Sequence, residues 1–134
     1  MNVKHQNSQK ALFFEELYNR YSAYAEKAHV NQSAFAADLG TSQSIVSNYL
    51  TGERFPTLNH LCAICIILRC DPHTQRRLFY LGDYEMPDKN GDGDKRNVII
   101  RYYMDYCSER PEFTLTKCED ELIKEGCVPL VTKR

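Results

Sequence analysis

Residues 31–58, NQSAFAADLGTSQSIVSNYLTGERFPTL, decide the fold. Asn31 can accept a backbone amide proton and start a helix in which Phe35, Ala36 and Leu39 fall at the three- and four-residue steps of one buried face. Gly40 follows, free to take the left-handed conformation that ends helices. Thr41 and Ser42 then offer hydroxyl caps for a further helix, about 43–51, whose apolar residues are Val46, Tyr49 and Leu50 and which Gly52 closes. Only Gly40 to Ser42 separate the two helices, and so short a turn makes them cross steeply.

A pair of helices crossing in this way can dock on duplex DNA, the first along the backbone and the second in the major groove. With Val46, Tyr49 and Leu50 turned inward, Gln43, Ser44, Ile45, Ser47 and Asn48 are left on or near the outer face. Glutamine and asparagine can donate and accept at once, which matches the N6 and N7 edge of adenine; serine pairs with phosphate or base, and Ile45 can touch a thymine methyl. With no Lys or Arg in the helix, A·T-containing sites are favoured over G-rich ones.

Outward from this pair the pattern predicts three more helices. Upstream, Phe13, Leu17, Tyr21, Tyr24 and Ala28 mark one face of a helix over 12–30. Downstream, Thr57 after Pro56 opens a helix with the stripe Leu58, Leu61, Cys62, Cys65 and Leu68. Asp71 followed by Pro72 is a cap plus first-turn proline, starting a fifth helix that ends at Gly82. The fold class is therefore all-α, five helices in residues 1–82.

Residues 83–97, DYEMPDKNGDGDKRN, have no helical or strand period and read as a polar linker. Within it Asp88, Asn90, Asp92 and Gly93 open like a calcium-binding loop. The twelfth position, which needs a glutamate, is Ile99, so the linker reading stands. Residues 98–134 form a small C-terminal segment. Val98, Ile99, Tyr102 and Tyr106 make a helical stripe, though their residue types also suit a strand, and Thr116 with Glu119 has capping-box spacing for a helix over 117–125 stopped at Gly126. So short a segment cannot enclose its own core and needs a partner. That is either the first domain or the same segment of a second subunit, and a two-fold DNA site favours the second.

The ungapped stretch from Leu17 to Leu68 resembles the lambda-repressor/Cro, or xenobiotic-response-element (XRE), helix-turn-helix family. The resemblance rests on the Leu17, Tyr21 and Tyr24 stripe, Gln32, Phe35-Ala36 before Leu39-Gly40, Ser42-Gln43-Ser44, Val46, Tyr49, Gly52 and Pro56-Thr57-Leu58. It implies a sequence-specific transcriptional regulator, a repressor occupying an operator in double-stranded DNA as a homodimer. It implies that Gln32 and Ser42, with Thr41 beside them, bond phosphates, that Gln43, Ser44 and Asn48 face bases, that Arg54 touches the backbone, and that Gln32 braces Gln43. The chain departs from the family in Ile45, where a smaller or polar residue is usual, and in its low charge, since Arg54 is the sole Lys or Arg between Asn31 and Pro56.

Charge is unevenly spread. The net value is −1, but residues 1–81 hold eight Lys/Arg against six Asp/Glu and residues 82–134 hold nine against twelve, so the first domain is the better partner for DNA. No apolar run is long enough to cross a membrane and the start of the chain lacks an export signal, which predicts a cytoplasmic protein. Six cysteines are then free thiols packed as small apolar groups. Cys62 and Cys65 form a C-x-x-C inside a helix, with no second pair at zinc-finger spacing, and His5, His29, His60 and His73 are scattered. No metal, cofactor or catalytic constellation is expected, and an enzyme is not. Two rivals share the sequence: an interaction module of antitoxin or anti-repressor type that engages a protein through the C-terminal segment, and a thiol or metal sensor using Cys62, Cys65 and Cys70.

Overall fold

A computed structural model describes residues 3–90 and 94–131, with side chains from Ser8 onward. Its described residues form helices and no strand: α1 (Val3–Ala28), α2 (Gln32–Asp38), α3 (Gln43–Thr51), α4 (Leu58–Ile67), α5 (Pro72–Leu81), α6 (Lys95–Tyr106) and α7 (Leu115–Lys124).

Each helix from α2 onward starts where a short polar side chain accepts an amide proton that the helix itself cannot satisfy. Asn31 accepts from Ala34 at 2.9 Å, Ser42 from Ile45 at 3.2 Å, Thr57 from His60 at 3.1 Å and Asp71 from Thr74 at 2.7 Å, as their positions predict. The cap of α7 is Thr114, not Thr116, and the expected capping box does not form. Its glutamate, Glu119, is buried and instead accepts from the amides of Leu130 (2.8 Å) and Val131 (3.2 Å).

Helix ends follow one scheme. After α2 the amide of Thr41 donates to Ala36 O and that of Gly40 to Ala37 O, with Gly40 at φ +69°. The same paired closure ends α4 and α5, with Arg69 or Asp83 left-handed, and after α1, where His29 is left-handed, the Val30 amide donates to Ala25 O. Gly82 is not left-handed; a Cβ there would stand 2.4 Å from the Tyr84 ring and 2.9 Å from Phe13, so close packing is what requires the glycine.

Packing corrects several expected faces. α1 begins at Val3, well before Leu12, because the sequence before Leu12 carries no apolar stripe for periodicity to detect; Gln9 Nε2 ties this extension to Tyr80 O at 3.1 Å. Ala28 is exposed, and Phe14 joins Phe13, Leu17 and Tyr21 in the core. α4 is buried on every side from Leu61 to Ile66, while Leu58 stays 45% exposed. A helix apolar all round needs neighbours all round. The first domain covers one side of α4, and α6 and α7 cover the other.

α6 is a helix rather than a strand, and it faces α4 with Ile100, Tyr103, Met104 and Cys107. The expected stripe is therefore mostly outside: Val98, Tyr102 and Tyr106 are exposed and Ile99 is half-buried. On α7, Leu122 is buried but Ile123 is 61% exposed. Residues 84–87 pack as well. The Tyr84 ring meets Phe13 and Phe79, its hydroxyl donates to Pro56 O, and Arg101 Nη1 donates to Pro87 O at 2.9 Å. Asp92 and Gly93 of the calcium-like stretch lie outside the described residues; Asp88 accepts from the Asn90 amide, and Ile99, at the position a glutamate would need, packs against the core.

Candidate nucleic-acid interface

The turn between α2 and α3 fixes the candidate surface. The closure of α2 on Gly40 and Thr41 spends the last carbonyls of that helix, and the next residue, Ser42, caps α3 at once. Val46, Tyr49 and Leu50 hold the inner face of α3 in the core, with Val46 fully enclosed. The opposite face is thereby held outward.

On that outward face Gln43, Ser44, Ser47 and Asn48 line one shallow concavity together with Gln32 from the start of α2. Five uncharged polar side chains from two helices meet there, with Gln43 and Ser44 exposed and Gln32, Ser47 and Asn48 partly so. Gln32 and Gln43 share this wall with no hydrogen bond between them among those described, so the expected brace is absent. Ile45 is the exception among the expected residues. It is half-buried, packs against the core and lies outside the concavity.

Of the expected backbone-contact residues, Gln32 lines the concavity and Thr41, Ser42 and Arg54 do not. The Ser42 hydroxyl oxygen accepts from Ile45 N–H, which leaves its own proton free to donate. Thr41 is partly buried and its amide is used in closing α2. Arg54 is exposed just beyond Gly52, which is left-handed at φ +87° and donates its amide to Asn48 O. The charge on Arg54 reaches inward too, depressing the pKa of His60 after the larger effect of burial.

His60 had no assigned role from sequence, and the structure gives it one. Its Nδ1 lies 2.7 Å from the Tyr49 hydroxyl, joining α4 to the inner face of α3. Arg96 on α6 reaches the same end of α4, donating to Asn59 Oδ1 at 3.2 Å as well as to Val128 O and Pro129 O. Neither contact carries a sequence signal, since each joins residues far apart in the chain.

The cysteines offer no reactive centre at this surface. Cys62, Cys65, Cys70, Cys107 and Cys118 are buried and unpaired, and burial pushes the Cys62, Cys107 and Cys118 thiols up to about 12. A thiol so shifted carries almost no thiolate at neutral pH and is inert. Among the described residues no three His, Cys, Asp or Glu converge as a metal site, and no helix is long and apolar enough to cross a membrane.

Residues 23–74 match the family model described as Helix-turn-helix, a span that runs from the second half of α1 into α5. This segment is a helix-turn-helix domain of the lambda-repressor-like, XRE type, as the resemblance implied. No curated protein and no solved structure matches the chain.

Proposed function

We propose that the chain is a cytoplasmic, non-enzymatic transcriptional regulator that binds a double-stranded DNA operator sequence-specifically, represses by occupying it, and acts as a homodimer. The observation that carries this reading is the concavity shared by Gln32, Gln43, Ser44, Ser47 and Asn48 on the outward face of a helix-turn-helix. With α3 in the major groove, Gln43, Ser44, Ser47 and Asn48 face base edges, and the exposed edge of Ile45 offers a methyl contact. Gln32, Thr41, Ser42 and Arg54 then flank the groove, where phosphates run.

Specificity on this reading comes from hydrogen bonding more than from charge, since the concavity is lined by amides and hydroxyls and by no charged residue. Residues 98–134 serve as the dimerising or partner-binding segment. Their support is the exposed apolar row on α6, Val98, Tyr102 and Tyr106, which is left over after α4 is covered.

Selection of a binding site from a random duplex library, followed by titration of that duplex, tests the proposal. Gln43→Ala or Asn48→Ala should each cost about 1–3 kcal/mol of affinity and relax preference at one base position. Wild-type affinity and specificity in both variants would show that α3 does not read the bases.

A further inference from the structure

A recess of about 820 Å³ opens between the second half of α1 and the turn from α4 to α5. A smaller recess of about 270 Å³ shares Tyr24 and Arg69 with it and extends to the first residues of α7. A space of this size is in the range that holds a small organic ligand. Its lining is of two kinds. Ala23, Ala28 and Leu68 are small or apolar and leave the Tyr24 ring standing as a wall, whereas Arg20, Lys27 and Arg69 bring three cationic heads.

The cations are incompletely answered by the protein. Asp71 lines the recess too; its carboxylate accepts from the Thr74 amide and keeps its charge, which Arg20 feels, so it answers one of the three cations. Arg20 shares Glu16 with Arg77, at 3.4 and 3.1 Å. Arg69 donates only to uncharged carbonyl oxygens: Cys107 O at 2.9 Å, Arg110 O at 3.1 Å and Pro111 O at 2.8 Å. A guanidinium has five N–H donors, so these three bonds leave two for a ligand, on a head already held in place. Burial, and after it the Asp38 charge, raise the pKa of Tyr24, which stays a neutral donor at the edge of the space.

We propose that this recess is a binding site for a small organic anion bearing a planar ring, its ring lying against Tyr24 and Leu68 and its anionic group meeting Arg20, Lys27 and Arg69. An apolar wall with an aromatic face suits a ring. Three cationic residues on one lining, with two guanidinium donors of Arg69 unused, suit a phosphate, sulfonate or carboxylate. The occupant would touch α1 on one side and Ser108, after α6, on the other, and so fasten the two halves of the chain together. The site stands whether or not α3 reads DNA.

Calorimetric titration of the full-length protein tests it, with adenosine monophosphate and naphthalene-1-sulfonate as probes and adenosine and inorganic phosphate as the separate halves. At least one complete probe should bind about tenfold more tightly than either half and raise the thermal midpoint. The double variant Arg20→Ala, Lys27→Ala should weaken that probe about tenfold, while circular dichroism and the midpoint without ligand change little, since both side chains are solvent-facing. Arg69 is left intact in this test because it also holds the chain after α6. Failure of both probes to bind, equal binding by inorganic phosphate, or unchanged affinity in the double variant would each overturn the proposal.

Discussion

The Tyr49 hydroxyl on α3 lies 2.7 Å from Nδ1 of His60 on α4, so the helix that carries the polar face is tied to the central helix through a titratable ring. Burial and then the Arg54 charge hold the His60 pKa below its ordinary 6.5. An unfolded chain therefore takes up the proton at a higher pH than the folded one. The sign follows: His60 leaves stability untouched above about pH 6.5, and stability falls as pH drops from there through the lower folded value. Asp71, lowered from 3.8 chiefly by the Thr74 amide, adds its own loss only in a more acidic window. Denaturant midpoints measured from pH 8 down to pH 4 should begin to decline near 6.5, and His60→Asn should remove that first step. A first decline that persists in the variant would assign it to another group.

Glu119 makes a second prediction. Both carboxylate oxygens accept from backbone amides, Leu130 and Val131, and all three residues are buried. Glu119→Ala strands those two donors, and by the usual cost of a lost buried bond to a charged group it should destabilise by about 1.5–3 kcal/mol. Limited proteolysis should then cut near residues 127–131 in the variant first. Equal stability and an equal cleavage pattern would mean the contact is idle.

The helix-turn-helix and its caps were legible because they are local. Asn31, Ser42, Thr57 and Asp71 each act on an amide three residues away, and Gly40 on a carbonyl three residues back, all within one window of sequence. What was hidden depends on distant partners. The stripe read for α6, Val98, Ile99, Tyr102 and Tyr106, is mostly the outer one, because the helix is apolar on both sides and α4 takes the face of Ile100 and Met104. Glu119 looked like a capping residue because its use by Leu130 and Val131 leaves no mark in the sequence. Of the candidate surface, the polar side chains of α3 were readable from Val46, Tyr49 and Leu50, whereas the packing of Ile45 against the core depends on tertiary neighbours and was not.

Gly82 yields a third prediction. Since an added methyl would meet the Tyr84 ring and Phe13, Gly82→Ala must displace Tyr84 and loosen its bond to Pro56 O. Overpacking of this kind costs about 1–3 kcal/mol. The variant's chemical denaturation midpoint should fall accordingly, and a gain in stability, as expected where glycine only adds chain entropy, would refute the packing account.

A fourth concerns the thiols. Cys127 is half-buried and the other five cysteines are buried, with three of them raised to about 12. In native protein one thiol per chain should react with a water-soluble disulfide reagent within minutes, and all six after denaturation. Cys127→Ser should abolish the fast reaction. Rapid reaction at Cys62 or Cys65 would instead revive the thiol-sensor reading.

The last prediction concerns how two copies would join. Deleting residues after Pro87 looks like a clean way to free the first domain, but α4 is buried on both sides, and removing α6 and α7 would bare one side of it. Such a truncation should unfold or aggregate, and so says nothing about dimerisation. Point changes on the outside of α6 avoid this. Val98, Tyr102 and Tyr106 are spaced four residues apart and therefore lie in one row, with Tyr102 48% exposed, and none is needed to cover α4. Changing Tyr102 and Val98 to serine removes the Tyr102 ring contacts with Tyr103, Tyr106 and Phe113 and should cost about 1–3 kcal/mol, so circular dichroism must first show the variant folded. If this row is the contact between copies, sedimentation at micromolar concentration should show a dimer for the parent chain and a monomer for the double variant. Operator affinity should then fall by much more than affinity for a single half-site, because two linked heads gain from their effective concentration. A dimer unchanged by the substitutions, or a parent chain that is already a monomer, would remove α6 as the self-contact and leave the row to a different protein.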